Sequence, residues 1–149
     1  MRLCFLNGWM ETEQEVFERL LDEHICRQGV DVFVLGKRIR DDHVSLKTLI
    51  RIKVRYPNVK VYLLTHVLPE KQTEKAPLGF DGFWYPSGLN MKPARLARRL
   101  AGCLTIDQAL FMIDGGYGKA GLPGLLSAYA IRRSRLGQLT VTRISRIKA

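Results

Sequence analysis

Asp31-Val32-Phe33-Val34-Leu35 is a run of β-branched, aromatic and aliphatic side chains with no polar residue after its first position. A strand with one wet face alternates apolar and polar residues. A run this uniform suits a strand covered on both faces, as a parallel sheet requires. Comparable runs lie at Leu3 to Leu6, Val59 to Thr65, Gly82 to Tyr85, Ala109 to Ile113 and Leu139 to Ile144.

Helical patterns separate these runs. Thr12 with Glu15 reads as a capping box before the apolar stripe Val16, Phe17, Leu20, Leu21 and His24, and Gly29 ends that helix. Glu11, Glu13, Glu15 and Glu18 suit the positive end of its dipole. Leu46, Leu49, Ile50 and Val54 mark a second helix, capped by Ser45 and stopped before Pro57. Pro69 to Gly79 is polar and reads as a loop with room for one short helical turn. Asn90 to Leu104 reads as a basic helix, with Leu96, Leu100 and Leu104 on one face and Lys92, Arg95 and Arg99 on another. Pro123 sits near the start of a last helix, whose apolar face is Leu125, Leu126 and Tyr129 and which Gly137 closes.

Strands alternating with helices predict an α/β fold: a three-layer, doubly wound, Rossmann-like or flavodoxin-like sheet of about five to six mostly parallel strands. Ligands in such sheets bind at the carboxyl ends of the strands. A chain of 149 residues fits one domain, 1–149, and buries roughly 70% of its unfolded surface, so it needs no metal or disulfide to fold. Cys4, Cys26 and Cys103 have no metal-ligand or redox spacing and read as reduced thiols of a cytoplasmic protein. No secretory signal is visible, and no run approaches the ~20 apolar residues of a membrane span.

Charge divides the chain. Residues 1–81 carry 13 Lys+Arg and 12 Asp+Glu, whereas residues 82–149 carry 11 and 2, and no acid follows Asp114. That field favours anionic partners: nucleotide phosphates, nucleic acid, an acidic protein or a membrane surface.

The sharpest local signal is Asp114-Gly115-Gly116-Tyr117-Gly118-Lys119-Ala120-Gly121, after a strand and before a helix. Glycines let the backbone approach a phosphate, helix-start amides point at it, and Lys119 adds a point charge. The candidate phosphate- or nucleotide-binding set is therefore Gly115, Gly116, Tyr117, Gly118 and Lys119. Asn7 on the first strand-to-helix turn and Arg99 on the basic helix join it. Trp9 sits on the same first turn as Asn7 and Gly8 and would contact a base or sugar. No catalytic or metal-binding set emerges. His24, His43 and His66 are scattered, with His24 on an apolar helix stripe and His66 at the ligand-binding edge of the sheet. Asp41-Asp42 reads as a solvated loop.

Residues 31–101 resemble the second half of a response-regulator receiver domain, through Asp31 to Leu35, Leu46 to Tyr56, Pro57 to Thr65 and Gly79 to Pro86. The resemblance places Gly36 where receivers carry the phosphorylated Asp. It places Thr65 at the switch Ser/Thr, Tyr85 at the conserved Lys before Pro86, and Asn7-Gly8 at the acidic pair. It implies a degenerate receiver without phosphoryl chemistry, acting through partners.

Residues 106–149 form the glycine-loop βαβ part and resemble two families. Deviant-Walker ATPases of the partition type carry Lys-Gly-Gly-x-Gly-Lys-Thr-Thr. Gly115, Gly116, Gly118 and Lys119 match, while Asp114 replaces the leading Lys and Ala120-Gly121 the Thr pair. Lonely-guy-type nucleotide phosphoribohydrolases carry Pro-Gly-Gly-x-Gly-Thr-x-x-Glu. Lys119 stands at their Thr, Leu122 at their catalytic Glu, and Arg98 or Arg99 lies at the distance of their helix Arg. Both imply an anion site, and both lose an indispensable catalytic residue here. The reading is a non-catalytic or weakly catalytic regulatory module that binds a nucleotide such as ATP or AMP. A ligand-free partner-binding pseudo-receiver, a nucleic-acid-binding domain using the basic second half and a lonely-guy-like nucleotide hydrolase are the alternatives.

Overall fold

The computed structural model describes residues 1–8, 14–36, 43–77 and 79–144, with 43–45 by backbone alone. The Thr12 cap, Glu11, Glu13, Trp9, the Asp41-Asp42 pair, the His43 side chain and the tail 145–149 lie outside the described residues.

Six strands form one parallel sheet: β1 (Leu3–Asn7), β2 (Val32–Leu35), β3 (Lys60–Leu64), β4 (Gly82–Trp84), β5 (Phe111–Asp114) and β6 (Thr140–Arg143). Their spatial order is β4-β3-β2-β1-β5-β6. The chain thus walks from β1 outward to β4, returns across the sheet to β5 on the other side of β1, and ends at β6. A constant crossover hand followed in opposite directions puts the connecting helices on opposite faces. The packing agrees. α1 (Gln14–Cys26) and α2 (His43–Arg55) cover one face, with Phe17, Leu21, Leu49 and Ile52 against Cys4, Leu6, Phe33, Leu35 and Ile113. α3 (Ala97–Gln108) and α4 (Gly121–Arg135) cover the other, with Ala101, Ile106, Leu126 and Ala130 against Leu3, Phe5, Val32, Val34 and Met112. Alternate residues of each central strand serve opposite cores, which explains the unbroken apolar runs. The chain has the three-layer Rossmann/flavodoxin-like α/β fold.

Several element details differ from the sequence reading. Ser45 lies inside α2, which begins at His43, so it is no cap. The buried face of α2 is Thr48, Leu49 and Ile52, while Ile50 and Val54 are 44% and 76% exposed. The basic helix is shorter than expected. Residues 89–91 and 94–96 form 3-10 turns around Pro93, which has no backbone N–H to donate, and α3 starts only at Ala97. The β3–β4 crossover agrees with the sequence reading: among the described residues it is a loop with one short helical turn, the 3-10 segment Pro69–Lys71. His24 is a core histidine: Nδ1 lies 2.7 Å from the Leu20 carbonyl and the ring packs edge-on to Phe111. Among the described residues, no helix is long and apolar enough to cross a membrane.

Asp81 ties the β4 edge to the rest. Its carboxylate accepts from Lys53 Nζ at 2.6 Å and from the Val61 amide at 2.8 Å, with Lys60 Nζ 3.9 Å away. Burial alone would raise its pKa, but the Lys53 bond, the Val61 amide and the two lysine charges outweigh it and hold the carboxyl below its ordinary value. A folded pKa below the unfolded one means stability that is complete above the unfolded carboxylate range and lost as pH falls through the folded value. Asp81→Asn is therefore expected to cost about 1 kcal/mol at neutral pH. Its penalty relative to wild type should shrink as pH falls, read from urea unfolding at pH 7 and pH 3.

Candidate functional site

β1 and β5 lie side by side in register, Asn7 opposite Asp114, and the strand order reverses between them. Chains leaving such a pair diverge to opposite faces and open a crevice at the carboxyl edge. Asp114 is fully buried at this point. Its Oδ1 accepts from Asn7 Nδ2 at 3.1 Å and from the Gly116 amide at 2.8 Å, and its Oδ2 accepts from Ser127 Oγ at 2.5 Å. Asn7 Nδ2 also donates to the Pro123 carbonyl at 2.9 Å. One carboxylate thus gathers β1, the glycine turn and α4, and three donors stand in for the water its charge has lost.

Three glycines make that convergence possible. Gly8 has φ +75°, and a Cβ there would lie 2.9 Å from the Gly116 nitrogen. A Cβ on Gly116 would lie 2.6 Å from both Asn7 Nδ2 and the Pro123 oxygen. On Gly124, in the first turn of α4, it would stand 1.8 Å from the Lys119 carbonyl oxygen. The exits of β1 and β5 and the start of α4 therefore meet backbone to backbone.

The glycine turn spends part of its donor capacity on itself. The Gly115 amide bonds the Asn7 carbonyl at 2.8 Å, Gly116 bonds Asp114, and the Lys119 amide bonds the Gly116 carbonyl at 3.1 Å. The amides of Tyr117, Gly118 and Ala120 make no such bond among the described residues. α4 begins without a side-chain cap, and Pro123 has no N–H, so Gly121 and Leu122 supply its free first-turn amides.

Beside this knot lies a cleft of about 550 Å³, counting the solvent at its mouth. Asn7, Gly8, Gly36, Leu64, Thr65 and His66 bring in the ends of β1, β2 and β3. Arg98 and Ala101 of α3, with Leu122, Pro123 and Leu126 of α4, form the opposite wall. Gly102 leaves room for the Leu126 side chain between α3 and α4, since a Cβ there would meet Leu126 Cδ1 at 2.6 Å. Among the described residues the lining is mostly apolar, and its ionisable side chains are His66 and Arg98. No group of three His, Cys, Asp or Glu that could hold a metal occurs among the described residues. The arrangement offers a slot for a flat apolar body, with a guanidinium and a helix start for an anion.

The sequence candidates fall into three places. Asn7, Gly115 and Gly116 belong to the Asp114 knot, and Asn7 also lines the cleft. Tyr117 and Gly118 are exposed on the outer part of the turn, where the Arg143 guanidinium lies 3.8 Å over the Tyr117 ring. Lys119 is half-buried between the turn and α4. Arg99 is exposed and absent from the cleft lining, and its neighbour Arg98 takes that position. Thr65 binds locally, its Oγ1 accepting from the Val67 amide at 3.1 Å and donating to Gln72 Oε1 at 3.2 Å. Sequence reasoning missed Ser127 and Gly124. Each had a signal: a hydroxyl between Leu126 and Ala130 on a buried helix face, and a glycine inside a helix directly after proline. No family model, no curated protein and no solved structure matches the chain.

Proposed function

We propose that the chain is a non-catalytic, or at most weakly catalytic, regulatory module that binds a nucleotide such as ATP or AMP. The observation that carries this reading is the cleft at the reversal of strand order, where Arg98 and the uncapped start of α4 flank one apolar slot. The base lies between Leu64, Ala101 and Leu126. The phosphate meets Arg98, the Leu122 amide and the outer glycine turn with Lys119. Gly36 leaves space at the end of β2 where a receiver would carry its phosphoacceptor. The carboxylate at the strand edge, Asp114, has both oxygens committed to structural donors, which favours binding over acid–base chemistry.

Thermal unfolding with ATP, ADP, AMP and GTP, each with and without Mg²⁺, tests this. Ligand at about 100 times its Kd adds roughly 2.7 kcal/mol, which for this size raises Tm by about 5–10 °C. Arg98→Ala is expected to weaken binding about tenfold and to halve the shift at the same concentration. If no nucleotide shifts the wild type, the reading is wrong and the cleft serves another purpose.

A further inference from the structure

The two helix layers treat their charges differently. On the α1–α2 side, Arg51, Lys53 and Arg55 are neutralised in place. Arg51 Nε lies 3.1 Å from Glu18, Arg55 lies 3.2 Å from Glu18 and 3.3 Å from Asp22, and Lys53 lies 2.6 Å from Asp81. On the α3–α4 side only two acids exist after residue 81. Asp114 is fully buried. Asp107 is taken by Arg133 at 3.2 Å and by the Tyr129 hydroxyl at 2.5 Å. Arg95, Arg99, Arg132 and Arg135 are exposed and make no ion pair among the described residues.

Their placement adds a length scale. Both helices run from the carboxyl edge of the sheet to its amino edge. Arg95 and Arg99 sit at the start of α3, and Arg132 and Arg135 at the end of α4. A helix of 15 residues spans about 22 Å. One small anion reaches one pair, while a polymer of phosphates reaches both. About six base pairs of duplex cover that span at 3.4 Å each. The aromatic ring on this face, Tyr129, is half-buried and bonded to Asp107, so it is no platform for an unstacked base. Arginine also matches phosphate geometry through its planar fork.

We infer that the α3–α4 layer binds the phosphate backbone of duplex nucleic acid without reading its sequence. The surface is separate from the cleft, and its test avoids Arg98.

Fluorescence anisotropy with two unrelated 20-base-pair DNA duplexes over a salt series provides the test. Four neutralised phosphates at about 0.9 each predict a log–log salt slope of about −3.6, equal for both sequences. Arg132→Glu with Arg135→Glu is expected to weaken binding at least tenfold, as is Arg95→Glu with Arg99→Glu. The glutamine versions of each pair, with thermal unfolding alongside, separate this loss from misfolding and should lower the slope magnitude by about 2. Arg27→Glu with Lys47→Glu makes the same net-charge change on the other layer and should leave affinity within twofold. Equal losses from both layers would reduce the effect to net charge and overturn the proposal. So would absence of binding at 50 mM salt, or tighter arginine-dependent binding to phosphatidylserine vesicles than to DNA.

Discussion

Asp114→Ala is expected to lower stability by about 3–5 kcal/mol, the scale of a buried charged group removed from its partners. The loss comes from the donors left behind. Asn7 Nδ2 keeps only the Pro123 carbonyl, and the Gly116 amide and Ser127 hydroxyl lose their acceptor in a site closed to water. Each unmade buried hydrogen bond costs roughly 1–3 kcal/mol. For a domain of this size Tm should fall by about 10 °C. Asp114→Asn keeps the shape and one acceptor oxygen but turns an NH₂ toward a donor, so its loss should be about half as large. Urea unfolding of the three proteins checks both statements. A loss below about 1 kcal/mol for the alanine variant would show that the knot does not hold the strand ends together.

The second large effect runs against helix propensity. In an open helix, Gly→Ala gains about 1 kcal/mol. Gly124→Ala is expected to lose about 3 kcal/mol, because the new methyl would stand 1.8 Å from the Lys119 carbonyl, which is main chain and cannot rotate away. Relief requires residues 115–120 to lift off α4 or the first turn of α4 to unwind. Either movement displaces Leu122 and Pro123 from the cleft wall, so the proposed nucleotide response should vanish with the stability. Gly118→Ala is the control. Its φ of +72° strains an alanine by about 1–2 kcal/mol, but nothing lies within 4 Å of the added carbon. A loss for Gly124→Ala no larger than that for Gly118→Ala, by urea unfolding, would show that the close approach is relieved cheaply and does not decide.

Strands were the most legible part of the sequence, because burial on both faces keeps the central strands apolar up to the carboxyl ends where Asn7 and Asp114 sit. α2 was less so. It carries Leu46, Leu49, Ile50, Ile52 and Val54 around more than one face, and only the docked neighbours select Leu49 and Ile52. The start of α3 depended on Pro93, whose signal was present and outweighed by the leucine spacing at 96, 100 and 104. That start also sets which of Arg98 and Arg99 meets the cleft, since one residue turns a helix by about 100°. The glycine turn was visible as strand, glycines, helix. Its anchor was not. Asp114 looked like a missing lysine, because its partners come from Asn7 and Ser127. No periodicity pairs Asn7 with a residue 107 positions later. Only the placement of β1 beside β5 does so.

That placement also sets a clock. β1 is made first and sits fourth in the sheet, and its neighbour β5 is made almost last. At 5–20 residues per second, 107 residues take about 5–20 s to emerge. Throughout that interval the β5-facing edge of Leu3-Cys4-Phe5-Leu6 has no strand to pair with, although this segment ends wholly buried. An unpaired apolar edge is a template for joining another chain. The recoverable yield of this protein during synthesis is therefore expected to depend on chain concentration and elongation speed, quantities to which the finished fold is indifferent.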